Sequence, residues 1–168
     1  MADFQLDRRK LRELILFIAQ ESEDDPRFGM TKLNKELYFS DFHAFGLLGA
    51  PITGATYQRL DYGPAPREVL ATLRELEDAG DVAVEERAYF HLKQRRVRAL
   101  RRADLGLFTG SEIEIVRGVL DELRYLNAAQ VSALSHLEVG WQIARDREPI
   151  PYETVYLSDR RPLPRELV

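Results

Sequence analysis

The sequence predicts a mainly α fold of the α+β class, a compact bundle of about six helices with a small antiparallel β-hairpin or sheet. Three observations predict it. Apolar residues recur at i, i+3, i+4 and i+7 in several segments, the spacing of a half-buried helix. Two capping boxes, Thr109-Gly-Ser-Glu112 and Asn127-Ala-Ala-Gln130, mark helix starts in the second half. Only Val82–Glu86 and Arg95–Leu100 read as a strand pair, with Ala88–Lys93 between or extending them.

The elements follow in order. Asp7 is placed to cap a helix whose stripe is Leu11, Leu14, Ile15 and Ile18. Pro26, at the end of the acidic run Glu21–Pro26, stops it, because a proline disfavours helical geometry at the residue before it. A second helix is expected from about Thr31 to Gly46. It carries Leu33, Leu37, Tyr38, Phe39, Phe42 and Phe45 around more than one face, which marks it as the central, most buried helix. Gly49–Gly54 punctuates the chain, and Ala55–Tyr62 alternates weakly, as a short strand does.

Gly63-Pro-Ala-Pro66 reads as a rigid turn, with Pro66 able to open a third helix that buries Val69, Leu70, Leu73 and Leu76 and ends at Gly80. Beyond the hairpin, the helix from the first capping box presents Ile113, Val116, Leu120 and Leu123. The helix from the second box carries Val131 and Leu134. A last short helix holds Trp141 and Ile143 and is broken by Pro149 and Pro151. No repeat or linker divides residues 1–168, so one domain is expected, with its core at about 8–156 and a loosely held tail at 157–168.

Composition narrows the chemistry. At 45% apolar and 31% charged residues the chain suits a globular domain with a solvated surface. The net charge of −4 supplies no global field toward nucleic acid or an anionic membrane. There is no cysteine, which excludes disulfides, thiolate catalysis and cysteine-ligated metal. Secretory-signal features and a run of about 20 apolar residues are both missing, so the cytosol is the expected location.

The three histidines, His43, His91 and His136, lie far apart. Asp41/His43 and His136/Glu138 are each two residues apart, about 200° around a helix, so neither pair shares a face. With no metal, nucleophile or phosphate motif, no enzymatic activity and no cofactor are expected. A basic run supplies Arg95, Arg96, Arg98, Arg101 and Arg102 against this acidic background. It reads as a solvated hairpin face or a patch for an acidic partner. The alternative is the wing of a winged-helix-like DNA-binding regulator. Tyr57, Tyr62 and Trp141 sit beside Gly and Pro, where partly exposed aromatics can anchor interfaces. A place in the core is nevertheless the favoured reading, above all for Trp141, the single tryptophan.

Several segments resemble the SocA-like Panacea domain, a family of bacterial and phage antitoxin domains. They are Thr31-Lys-Leu-Asn-Lys-Glu-Leu-Tyr-Phe-Ser-Asp41, Pro51–Tyr57, Tyr62-Gly-Pro-Ala-Pro66, Leu134-Ser-His136, Gly140-Trp141 and Ile150–Thr154. The resemblance implies a cytoplasmic protein that neutralises a cognate toxin by direct contact, or in some members delivers it to a protease. Lys32, Lys35, Tyr38, Tyr57, Tyr62, Gly63, Pro64, His136 and Trp141 stand at the signature positions. Lys32 and Lys35, three apart, occupy one helical side where they can meet carboxylates or a partner.

Overall fold

Helix α2 (Met30–Leu48) is the axis of the molecule, with 13 of its 19 residues buried. Its polar residues Lys32, Lys35, Glu36, Ser40, Asp41 and His43 are buried together with its aromatic ones, so neighbouring elements pack on more than one of its faces. It starts at Gly29 without a side-chain cap and ends at Gly49, whose φ of 84° closes the last turn in the left-handed region. The structure, a computed structural model, describes residues 3–158.

Helix α1 (Arg8–Glu21) begins where Asp7 accepts the Lys10 amide at 2.9 Å. It buries its expected stripe and also Leu16 and Phe17, so it is enclosed on more sides than the spacing implied. Helix α3 (Val69–Asp78) lies against α1, and helices α4 (Gly110–Leu123), α5 (Ala128–Ser135) and α6 (Val139–Ile143) complete six α-helices among the described residues. Both capping boxes form as read, at Thr109/Glu112 and Asn127/Gln130. Two 3-10 turns, Leu105–Leu107 and Tyr152–Leu157, were not anticipated. The α+β class is as expected.

Strand β1 (Tyr57–Leu60) pairs antiparallel with β2 (Gly63–Pro66). This corrects the reading of Gly63–Pro66 as a turn. The Arg67 amide bonds the Thr56 carbonyl at 2.8 Å, which fixes the register so that Ala65 and Gly63 face β1. Pro64 and Pro66 then point their ring nitrogens away from the ladder, the one arrangement in which proline suits a strand. The third helix therefore begins at Val69, and Leu70, expected inside, is 51% exposed. The other edge of β1 bonds the 147–150 segment through Arg59, Arg147 and Ile150 amides.

Strands β3 (Val82–Tyr89) and β4 (Leu92–Ala99) form a hairpin longer than expected, with Val82 opposite Ala99 and Tyr89 opposite Leu92. One apolar cluster joins α1, α2, Leu73 and Leu76 of α3, Val82, Val97, Val116, Leu123, Val131, Ile150 and Val155. Packing continues to Ser158, which is buried and hydrogen-bonds Glu138. The rest of the expected tail, 159–168, lies outside the described residues. No described helix is long and apolar enough to cross a membrane.

Candidate functional site at the junction of α2, the first hairpin and the α5–α6 corner

Lys35 lies where α2 meets β2 and α5. It is 2% exposed, and no hydrogen bond or ion pair engages its ammonium among the described residues. Burial pulls its pKa down from 10.5 to about 8. The side chain runs across the Cα of Gly63. A Cβ there would stand 2.5 Å from Lys35 Cε and 2.2 Å from Ser135 Oγ, and Gly63 holds a φ of 112°. Only glycine meets both demands.

The turn between β1 and β2 is fastened to the α5–α6 corner by polar bonds. Trp141 donates from Nε1 to the Leu60 carbonyl at 2.8 Å, and Arg59 donates from Nε to the Trp141 carbonyl at 3.0 Å. His136 Nε2 lies 3.0 Å from the Asp61 carbonyl, which can only accept, so that nitrogen carries the proton. The Arg59 guanidinium sits 4.2 Å over the indole, and the His136 ring stacks on the indole at 4.0 Å. Tyr62 projects from this turn, 76% exposed.

Deeper in, Asp41 accepts from the Thr53 amide at 2.7 Å, from Thr53 Oγ1 and from the Tyr57 hydroxyl. Tyr57 also donates to the Leu37 carbonyl, and its ring packs with Tyr38, Phe42 and Tyr152. Burial raises the Asp41 carboxyl, which the three bonds oppose.

Lys32 does not join this cluster. It is fully buried and donates to Asp25 Oδ2 at 2.7 Å and to the Arg124 carbonyl at 3.2 Å, so the anticipated carboxylate contact forms for Lys32 and not for Lys35. Of the nine signature residues, Lys32, Lys35, Tyr38, Tyr57, Gly63 and Pro64 are buried, His136 and Trp141 half-buried, and Tyr62 exposed. Sequence reasoning missed Glu36, Asp41, Arg59 and Ser135. For Glu36 and Asp41 the available signal was a run of polar residues inside the helix read as the most buried; Arg59 in β1 and Ser135 in α5 carried no such signal.

The arginines of the basic run differ in their contacts. Arg96 is buried and donates to the carbonyls of Ser22, Glu23, Asp25 and Phe28 at 2.6–3.2 Å, closing the C-terminal end of α1. Arg101 grips Glu13 at 2.7 and 2.9 Å and pairs with Asp81. Glu13 is correspondingly held below the usual carboxylate range, first by Arg101. Arg98 pairs with Glu85 across the hairpin. Arg95 and Arg102 remain exposed.

Chemically, the site is a tie between elements. Its histidine and its lysine face backbone and side-chain neighbours, with no nucleophile–base pair between them. Among the described residues no three His, Asp or Glu side chains converge as a metal site.

A family model described as antitoxin SocA-like, Panacea domain, matches residues 33–142, about two thirds of the chain. The chain belongs to the SocA-like Panacea family. No curated protein and no solved structure matches it. The match bears out the resemblance read from Lys35 to Trp141; Lys32 and the 150–154 segment fall outside the matched span. In this Panacea domain the matched signature is mostly interior. It joins α2 to the first hairpin and to the α5–α6 corner, and leaves Tyr62 as its outward-facing member.

Proposed function

We propose that this Panacea domain is a cytosolic antitoxin that neutralises a cognate toxin by direct protein–protein contact and catalyses no reaction of its own. The family match over residues 33–142 is the observation that carries the proposal. The inward orientation of the signature supports it, because buried ties make a rigid scaffold and leave recognition to the exposed surface. The surface is ample. The described residues expose 9474 Å², and a standard interface takes about 800 Å² from each partner. Delivery of the toxin to a protease is a further mode of the same contact.

Co-expression with the product of the adjacent gene tests this. Growth inhibition by that product alone, relieved when this chain is present, is the expected result. A harmless neighbour, or one that stays lethal, contradicts it. A toxin half-life that shortens when the chain is present identifies the protease route.

The alternative, a winged-helix-like DNA-binding regulator, draws less support. Arg96, Arg98 and Arg101 have internal partners, and the helix preceding the hairpin exposes Glu75, Glu77 and Asp78. Those charges repel phosphate.

A further inference from the structure

The tip of the second hairpin shows outward chemistry that the fold does not explain. Tyr89 faces Leu92 in the ladder, so Phe90 and His91 form a two-residue loop. Loops of this length place their first residue at positive φ, a position that glycine, asparagine or aspartate normally fills. Phe90 fills it here, at φ 55°. A bulky side chain is strained in that region. The ring is 86% exposed, and among the described residues its aromatic contact is with Tyr89, edge to face with centroids 4.9 Å apart.

Leu92, the next large side chain, is 71% exposed. Arg87, Lys93 and Arg95 are exposed around this apolar crest, without an ion pair among the described residues. Glu86, opposite Arg95 in the ladder, is the one acid within the loop-proximal pairs from Glu86–Arg95 to Tyr89–Leu92. The tip therefore carries a net positive charge on a chain that is net negative. Its base is held firmly. Gln94 donates to the Pro26 carbonyl at 3.0 Å, and the Arg96 guanidinium binds four carbonyls.

Strained backbone persists where surroundings enforce it or a function uses it. No surrounding group encloses Phe90. The exposed Phe90 and the exposed arginines Arg87 and Arg95 are residue types enriched in protein interfaces.

We propose that this tip is an insertion element. Phe90 and Leu92 enter an apolar pocket on the cognate toxin, and Arg87, Lys93 and Arg95 meet acidic side chains on the pocket's rim. The proposal rests on the antitoxin reading. A protein partner is favoured over nucleic acid because the crest is apolar. The neutral crest contributes no phosphate contact.

The test uses the full chain and the purified product of the adjacent gene. Phe90→Gly relieves the backbone and removes the ring. It raises Tm by about 2–4 °C and weakens toxin binding by about 30-fold or more. Leu92→Ser, at the exposed first position of β4, lowers affinity about tenfold without a fall in Tm. Arg87→Glu slows association, and the effect shrinks in high salt.

If wild-type chain binds and neutralises the toxin while Phe90→Gly and Leu92→Ser do so equally well, the insertion proposal is overturned and the antitoxin reading stands. If wild-type chain leaves the toxin active and unbound, the antitoxin reading fails and takes the proposal with it. Loss of binding to a duplex of the chain's own upstream DNA, with toxin binding intact, overturns the proposal in favour of a nucleic-acid wing.

Discussion

Lys35→Met is the substitution that most sharply separates a scaffold role from a contact role. The lysine stem is packed between Gly63 and Ser135, and its ammonium has no counter-ion among the described residues. Methionine keeps an unbranched chain of similar length and removes only the charge. The pKa displacement from 10.5 to about 8 corresponds to about 3 kcal/mol of destabilisation by the charged form. The native pKa lies below the unfolded one, so the group's stabilising contribution is present above pH 10.5 and lost as pH falls through about 8. At pH 7 the penalty is complete. Lys35→Met is therefore expected to raise Tm by about 6–12 °C at pH 7, with the margin shrinking steadily between about pH 8 and 10.5. Thermal and urea unfolding followed by circular dichroism at pH 7 and pH 10 measure both. Toxin neutralisation should survive. A variant that is less stable at pH 7, or whose advantage is flat with pH, refutes the reasoning. It would show that the ammonium has a stabilising partner.

Glu36→Gln should behave with the opposite pH dependence. Burial raises the Glu36 carboxyl to about 8, and its Oε2 has no hydrogen-bond partner, so wild-type loses relative stability as pH climbs from 4.5 to about 8. The glutamine variant should match wild-type near pH 4 and exceed it by about 4 kcal/mol at pH 7.5, read from urea midpoints. Gly63→Ala forces a Cβ to within 2.2 Å of Ser135 Oγ at a φ of 112°, and should cost about 2–4 kcal/mol in the same assay. Arg96→Ala leaves four carbonyls without their donor and should cost about 2–4 kcal/mol, whereas Arg95→Ala should lie within about 0.5 kcal/mol of wild-type. Equal effects at positions 95 and 96 would contradict the division of the basic run into structural and exposed residues.

The helices were legible where local chemistry determines them. Asp7, Thr109 with Glu112, and Asn127 with Gln130 sit at their helix starts, because a cap is a contact between residues three apart. The central place of α2 followed from aromatic residues on too many faces. The first hairpin was not legible at β2. Two prolines argue for a turn, and only the pairing register shows that both face away from the ladder. Leu70 was misplaced because it stands about 100° around the helix from Val69, off the stripe that Val69, Leu73 and Leu76 bury.

The site was legible by type and not by role. Lys32 and Lys35 look equivalent in sequence, yet one finds Asp25 and the other finds no acid, because their neighbours come from loops and helices far along the chain. The arginine run looked like one patch. Long-range contacts with Glu13, Asp81 and the end of α1 divided it. Such pairings have no local signal. Phe90 carried a visible clue, an aromatic residue in a tight hairpin loop, whose meaning depends on the sign of its φ.

The central claim is that this molecule acts by covering another protein's surface. Titrating the activity of the purified toxin with purified chain tests that most directly. Occupancy predicts inhibition that completes near equimolar chain and reverses when the chain is diluted or competed away. Full inhibition at a small fraction of one equivalent, with the toxin left chemically altered, would mean that the chain acts catalytically and would contradict the account.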